Sequence, residues 1–212
     1  MMKHRGILIV VSGFSGAGKG TLMKRLLKEY DNYALSISMT TRTPRTGEED
    51  KKDYFFVTRE AFEEQIAAEG LIEYAQYCGN YYGTPKAYVE SQLEQGKDVI
   101  LEIEIQGALK VKQRFPQALL LFVTPPSAEE LRRRLVGRGT ETEEVIDARL
   151  SRAGEEAEGI ENYDYLVIND DLDACVKQMH GLIQGARNAP ARNTEFIENI
   201  RTQLRTLAKG EK

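Results

Sequence analysis

The sequence predicts an α/β fold in which helices flank a five-stranded parallel sheet. Three observations support this prediction. The chain has 212 residues, which is enough for one compact core with a small insertion or two. Short apolar runs typical of buried strands recur along it, and stretches with helical spacing lie between several of them. Because strands and helices alternate, the strands are expected to be parallel, with binding at their carboxyl ends.

The first predicted element is a central strand at residues 7–11, an uninterrupted apolar run rich in β-branched residues. A helix is predicted next, because apolar side chains recur at helical spacing over residues 22–30. Further apolar runs predict four more strands, at residues 34–37, 99–101, 119–123 and 166–168. Helices are predicted between them, most clearly at 86–94 and 128–135.

The link between the first strand and the first helix reads SGFSGAGKGTL, in which Gly13, Gly18 and Lys19 fit the G-x-x-x-x-G-K pattern. The pattern arises by chance in about one chain in fifteen of this length, so its context decides the interpretation. Strand, glycine loop and helix together indicate a phosphate-binding loop, since its N–H groups and the helix dipole attract phosphate. The alternative is an ordinary glycine turn. Gly20 stands where a hydroxyl is usual, but Thr21 offers one to a phosphate or a metal.

Composition restricts the classes of function. The formal net charge of −4 argues against a general nucleic-acid or membrane binder, so attraction to phosphate must be local. The apolar run near the start has only five residues, which predicts neither a signal peptide nor a membrane span. The two cysteines, Cys78 and Cys175, have no metal-type spacing. We therefore expect a cytoplasmic protein.

Residues 40–85 interrupt the alternation, with a short strand at 54–57, a helix at 61–69 and a hairpin near 74–82. We predict a small lobe inserted in the core. Paired arginines in such a lobe can clamp a phosphate, and hydroxyl and carboxylate groups can recognise what is attached to it. The polar residues of the lobe and its edges are Ser38, Thr40, Thr41, Arg42, Arg45, Tyr54, Glu73, Tyr82 and Thr84. Taken singly, each is also typical of an ordinary surface.

A second cationic stretch, RRRLVGRGTETEEVIDARLSR, covers residues 132–152. From composition alone it is equally a solvated helical face or a binding element.

Five segments together resemble the guanylate kinase family, in the same order and at compatible distances: SMTTRTPRTGE, DYFFV, IEYAQYCGNYYGTP, GRGTETEE and VIND. The similarity extends over roughly residues 6–183. It implies a P-loop kinase with an inserted GMP-binding lobe and an arginine-rich lid. The implied reaction is transfer of the γ-phosphoryl group of ATP to GMP, or to dGMP, in purine nucleotide metabolism. The implied division is a core of residues 1–39, 86–133 and 153–186, a lobe of 40–85, a lid of 134–152 and a tail of 187–212.

The resemblance also implies a donor site. ATP would lie on Gly13, Phe14, Ser15, Gly16, Ala17, Gly18, Lys19, Gly20 and Thr21, with Asn169 at the adenine. Lys19 would contact the β- and γ-phosphates, and with Arg42 and the lid residues Arg134, Arg138 and Arg149 it would form the catalytic set. Mg²⁺ is expected with ATP, held by Thr21 and Glu102 directly or through water. The family usually has Ser at Gly20, and the Gly-Thr ending here is similar to that of adenylate kinases.

In the acceptor site that the resemblance implies, Arg42, Arg45, Tyr54 and Tyr82 hold the phosphate of GMP. Glu73 accepts the N1–H and N2–H of guanine, and Ser38 and Thr84 contact O6. Glu104 also lies near the base, where the family normally has Asp. Adenine would oppose the Glu73 carboxylate with a lone pair, and sites of this kind reject a wrong ligand by about 10⁴-fold or more.

Two alternative functions stay open from the sequence: another nucleoside monophosphate kinase, and a non-catalytic protein-binding module on the same fold. The packing of the C-terminal tail stays open as well. Beyond residue 187, apolar residues recur at helical spacing, at Phe196, Ile197, Ile200, Leu204 and Leu207. This stripe packs either on its own core or on a partner subunit, as in a homo-oligomer.

Overall fold

The structure, a computed structural model, describes residues 5–77, 79–137 and 142–208. In chain order its elements are β1 (Leu8–Gly13), α1 (Lys19–Glu29), β2 (Tyr33–Leu35), β3 (Met39–Thr40), β4 (Phe55–Phe56), α2 (Arg59–Ala67), β5 (Leu71–Tyr77), β6 (Asn80–Pro85), α3 (Lys86–Glu94), β7 (Asp98–Glu102), α4 (Ile105–Arg114), β8 (Leu119–Thr124), α5 (Ala128–Val136), α6 (Glu143–Ala157), β9 (Tyr165–Ile168), α7 (Leu172–Arg187) and α8 (Thr194–Ala208). Short 3-10 turns cover Ile160–Asn162 and Pro190–Arg192.

Five strands form the core sheet, in the order β2-β7-β1-β8-β9, and all its neighbouring strands are parallel. This confirms the predicted fold class. β1 lies at the centre, where Val10 pairs with Leu101 on one side and Leu120 on the other. The apolar run of β1 is buried because helices cover both faces of the sheet.

The two faces of the sheet carry separate hydrophobic clusters. On one face, α1 and α7 pack on the sheet through Leu22, Leu26 and Met179. On the other face, α3 and α4 pack through Val89 and Val111. The helices therefore cover both faces of the central strands, and the carboxyl ends of these strands are open for a binding site.

The predicted lobe contains a second sheet, in the order β4-β3-β6-β5. β5 and β6 form the predicted hairpin, and β3 adds antiparallel to β6. The helix of the lobe begins two residues earlier than predicted, because the Thr58 hydroxyl caps it by accepting the Ala61 N–H at 3.2 Å.

The strand predicted at residues 34–37 is shorter in the structure. β2 ends at Leu35, although the Ser36 N–H still donates to the Ile100 carbonyl oxygen at 2.8 Å. β2 is an edge strand with β7 as its only neighbour in the sheet of described residues. The chain leaves this edge to enter the lobe, and an apolar pattern does not mark that departure.

A small third cluster joins α5 and α6 and contains Leu131, Leu135 and Ile146. Phe14 of the glycine loop packs against it. The region predicted as a lid is therefore in contact with the loop. Arg138 and Cys78, both named from the sequence, lie outside the described residues.

The last helix, α8, differs from the others because none of its described residues, Thr194–Ala208, is buried. Four residues of its apolar stripe are exposed, at 51% for Phe196, 39% for Ile200, 60% for Leu204 and 74% for Leu207, and Ile197 is half-buried. Packing of this stripe on the core of its own chain, one of the two sequence-based alternatives, is not observed. In the parts of the chain that the structure describes, no helix is long and apolar enough to cross a bilayer.

Candidate active site

A cleft of about 740 Å³ opens at the carboxyl ends of the core strands, where the sheet topology favours binding. The predicted site residues that line it are Gly13, Ser15, Lys19, Ser38, Tyr54, Thr84, Glu102, Glu104 and Arg149. A cleft of similar volume, about 730 Å³, lies near the amino ends of the strands, and no described residue in its lining belongs to the predicted site. The first cleft is therefore the candidate active site.

The glycines of the loop have backbone positions that side chains would obstruct. Gly13 has a φ of 151°, and a Cβ there would lie 2.0 Å from the Val123 carbonyl oxygen. Gly18 has a φ of 90°, and a Cβ would lie 2.5 Å from Nδ2 of Asn169. The loop thus passes tightly over β8 into the first turn of α1, which is the conformation that directs backbone N–H groups at a phosphate.

Lys19 begins α1, and its ammonium group lies over the loop. Nζ donates to the carbonyl oxygens of Gly13 at 2.6 Å and of Phe14 at 3.2 Å. This arrangement places a positive charge at the carboxyl end of β1, inside the cleft.

Gly20 and Thr21 follow in the first turn of α1, and both are exposed. A Cβ at Gly20 would meet nothing within 4 Å, so the glycine is not required by packing.

Asn169, just after β9, and Arg134, on α5, both contact the loop. The Asn169 Nδ2 donates to the Ala17 carbonyl oxygen at 2.8 Å, and Nη2 of Arg134 donates to the Asn169 carbonyl oxygen, also at 2.8 Å. Glu130 accepts from Nε of Arg134 at 2.6 Å. Hydrogen bonds from Arg133 and Arg134 lower the pKa of Glu130 to about 2. Glu130 therefore holds Arg134 in place beside the loop, a contact that the sequence analysis did not assign.

Arg149 connects the lid region to the loop. It lies on α6, and its Nη1 donates to Oγ of Ser15 at 2.7 Å. Lys19 and Arg149 therefore both contact the glycine loop and line the cleft.

The expected phosphate clamp lies in the lobe. The guanidinium of Arg42 lies 5.4 Å from the centroid of the Tyr54 ring, and the Tyr54 and Tyr82 rings meet edge to face at 6.3 Å. Glu48 accepts from Nη2 of Arg42 at 2.9 Å and from the Arg45 N–H at 2.8 Å. The hydrogen bond from Arg42 lowers the pKa of Glu48. Glu48 was also missed, because no local pattern indicates which arginine a loop carboxylate will bind.

Glu73 and Thr84 form a pair, of which Thr84 lines the cleft. The Thr84 hydroxyl, which is buried, donates to Oε1 of Glu73 at 2.7 Å. Burial raises the pKa of Glu73, and the hydrogen bond from Thr84 opposes that shift. A buried carboxylate beside a hydroxyl complements a ligand edge that carries adjacent donors and an acceptor.

The oxygen ligands expected for Mg²⁺ are available. Glu102 ends β7 with its side chain exposed in the cleft, and the Thr21 hydroxyl lies on α1. The described residues contain no group of three or more His, Cys, Asp or Glu side chains that could hold a metal ion alone. One carboxylate and one hydroxyl fit Mg²⁺, which usually keeps waters and takes further oxygens from substrate phosphates.

Fold and site together define a P-loop nucleotide kinase, with a glycine loop at the end of β1 and an arginine-bearing lobe inserted in the core. A family profile described as "Guanylate kinase" matches residues 5–186. Guanylate kinase of Clostridioides difficile is 51% identical over 205 residues, covering 96% of this chain and all of that protein. Guanylate kinase of Halalkalibacterium halodurans is 52% identical over 183 residues, covering 86% of this chain and 90% of that one.

A solved structure is similar as well. The crystal structure of guanylate kinase from Anaplasma phagocytophilum has a TM-score of 0.69 and 32% identity, with 89% of each chain covered. The chain belongs to the guanylate kinase family, whose activity is the ATP-dependent phosphorylation of GMP.

Proposed function

We propose that this chain transfers the γ-phosphoryl group of ATP to GMP, giving ADP and GDP, and that dGMP is also an acceptor. The observation that supports this most directly is the Glu73–Thr84 pair, in which the buried Thr84 hydroxyl donates to the part-buried Glu73 carboxylate. Its carboxylate would accept the N1–H and one N2–H of guanine, while the Thr84 and Ser38 hydroxyls serve O6. Adenine, cytosine and uracil do not present that combination of groups.

Phosphoryl transfer needs alignment of the two nucleotides and positive groups that neutralise the negative charge on the moving group. Lys19 is proposed to contact the β- and γ-phosphates, and Arg149, Arg134 and Arg138 to supply further positive charge from the lid. Arg42, Arg45, Tyr54 and Tyr82 are proposed to hold the GMP phosphate in line with the donor. Residues 134–152 would close as a lid over the lobe of residues 40–85 when both nucleotides are bound, which excludes water.

ATP is proposed to bind along the glycine loop, residues 13–21, with Asn169 near the adenine. Mg²⁺ would be held by Glu102 and Thr21, directly or through water, and would neutralise charge on the phosphate oxygens. Glu104 is proposed as a further contact to guanine. We propose a cytoplasmic protein, in agreement with these substrates.

The test is a coupled ADP-release assay with ATP and each of GMP, dGMP, AMP, CMP and UMP. We expect kcat/KM for GMP to exceed that for AMP by orders of magnitude, because a wrong base leaves the Glu73 carboxylate unpaired. A preference for AMP would contradict the guanine assignment and favour another nucleoside monophosphate kinase. ADP release that does not depend on any acceptor would contradict the kinase assignment itself.

We also propose that α8 binds a second copy of the chain. An isolated helix of 15 residues is marginally stable in water, and the core of its own chain buries none of the described α8 side chains. The acidic residues Glu195 and Glu198 lie in its first half, and the basic residues Arg201 and Arg205 in its second half. Two α8 helices in antiparallel orientation would therefore place opposite charges beside each other and bury both apolar stripes.

A further inference from the structure

Arg152 and Glu104 form an ion pair across the mouth of the nucleotide cleft. Nη2 of Arg152 lies 2.6 Å from Oε2 of Glu104, and Nε of Arg152 lies 3.1 Å from Oε1 of Glu156. Arg152 and Glu156 belong to α6, whereas Glu104 immediately precedes α4 on the acceptor side. All three side chains line the cleft. The pair therefore joins the lid helix to the wall of the acceptor site.

One oxygen of the Glu104 carboxylate, Oε2, accepts the hydrogen bond from Arg152. A carboxylate has two acceptor oxygens, each able to take more than one hydrogen bond, so Oε1 keeps its capacity for a ligand. The Glu104 side chain is 76% exposed, and an exposed carboxylate on three rotatable bonds samples many rotamers unless a partner holds it.

We propose that Arg152 is a positioning residue for guanine recognition, which holds Glu104 so that Oε1 accepts the second hydrogen of the guanine N2 amino group. This rests on the proposed function, in which Glu73 takes the N1–H and the first N2 hydrogen. Arg152 is on α6, so the Arg152–Glu104 ion pair couples guanine binding to the lid helix. Bound guanine would stabilise the position of α6 that the structure shows.

The test compares Arg152→Gln with wild type in steady-state kinetics with GMP and ATP. We expect KM for GMP to rise about two- to five-fold, the range typical of an exposed ion pair. We expect kcat to stay within about two-fold and KM for ATP to be unchanged, since Arg152 acts on the base contact and not on the phosphates. The difference between variant and wild type should shrink at high salt, which screens exposed charges.

Inosine monophosphate identifies the atom involved, because its base lacks the N2 amino group. Its inhibition constant against GMP should be the same for Arg152→Gln and wild type. In a double-mutant cycle, Arg152→Gln should have almost no further effect on KM for GMP once Glu104 is Gln. Arg132→Gln is the matched control, because Arg132 is also an exposed arginine of this region, paired with Glu143 and Asp147, and does not line the cleft.

Each alternative outcome has a defined meaning. A wild type without GMP kinase activity contradicts the proposed function. An active wild type with Arg152→Gln equal to Arg132→Gln overturns the positioning role, as do additive effects in the cycle. An equal loss of affinity for inosine monophosphate would show that Arg152 acts on something other than the amino group, which also overturns the proposal.

Discussion

Glu73 is a carboxylate that the fold partly buries, at a cost in stability. Burial raises its pKa, and the hydrogen bond from the Thr84 hydroxyl offsets only part of the desolvation. Such a group is unfavourable for folding in the absence of ligand. It becomes favourable for binding when a ligand brings donors to its remaining lone pairs, as guanine does.

Glu73→Gln should therefore lower kcat/KM for GMP. The substitution replaces one acceptor oxygen by an NH₂ donor that faces a donor of guanine, which costs roughly 2–4 kcal/mol. That cost corresponds to a decrease of about 30- to 1000-fold in kcat/KM for GMP. ATP binding should change little, because it depends on the other half of the cleft. The acceptor panel measures both effects, and undiminished GMP activity of the variant would exclude Glu73 as the guanine contact.

The same substitution should have the opposite effect on stability without ligand. The pKa of Glu73 is higher in the folded than in the unfolded state. The difference in pKa therefore does not weaken the folded state below the unfolded pKa, and it lowers the free energy of unfolding as pH rises through the folded pKa. Glu73→Gln should accordingly raise Tm at pH 7. In a chain of this size, an increase of 1 kcal/mol in the free energy of unfolding raises Tm by about 2–4 °C. The gain should vanish near pH 4. Thermal unfolding of both proteins from pH 4 to 8 tests this, and a gain that grows toward low pH would contradict it.

Lys19 carries the charge nearest to the loop carbonyls of Gly13 and Phe14. Lys19→Met removes that charge and keeps a side chain of similar length. We expect kcat to fall at least about 10²-fold, as for the loss of one preorganised electrostatic group. Circular dichroism and Tm establish that the variant is folded, and a folded variant with near-normal turnover would refute the assigned role.

At the scale of elements, Gly13 at the end of β1 and Gly20 in the first turn of α1 have different structural roles. A Cβ at Gly13 would overlap the backbone of β8 at Val123, whereas a Cβ at Gly20 would point into open space. The sequence motif marks Gly13 as essential. It does not show that Gly20 occupies an unobstructed helical position, because that depends on the surroundings of α1 in the folded chain.

Gly13→Ala and Gly20→Ala make a matched pair. Gly13→Ala should weaken ATP binding strongly and lower Tm, because the added methyl group forces the loop away from β8. Gly20→Ala should keep ATP binding and raise stability by about 0.5–1 kcal/mol, the difference between Gly and Ala within a helix. Calorimetric titration with ATP and thermal unfolding measure both. Equal behaviour of the two variants would contradict the steric account.

For the molecule as a whole, features set by residues close together in the sequence could be predicted, and features set by contacts between distant residues could not. The five core strands, the lobe and the loop are recorded in local patterns, namely apolar runs, turn residues and glycine spacing. Glu48, Glu130 and Arg152 were not assigned roles in the site. The folded chain selects the partners of Glu48 and Arg152, whereas Glu130 pairs with Arg133 and Arg134 at helical spacing on α5. Of these, Arg152 and Glu104 are separated by 48 positions in the chain.

From the sequence, the apolar stripe of α8 could pack either on the core of its own chain or on a partner subunit. In the structure most of the stripe is exposed. Self-association is the proposal that concerns the whole molecule. Just before α8, Arg192 bonds the carbonyl oxygen of Gln117, which lies near the amino end of β8. α8 therefore starts at the end of the sheet opposite the nucleotide cleft. A dimer formed through α8 would leave the cleft accessible, so oligomeric state and catalysis can be measured independently.

Leu204→Glu should convert the dimer into a monomer. The substitution places a charge in the middle of the apolar stripe, where pairing would bury it without a partner. Thr202→Glu is the control, because it adds the same charge on the opposite face of the same helix. Light scattering after size-exclusion chromatography at tens of micromolar should give twice the chain mass for wild type and Thr202→Glu, and the single mass for Leu204→Glu. All three should phosphorylate GMP at similar rates. A monomeric wild type, or a Leu204→Glu variant that remains dimeric, would show that α8 does not join two copies.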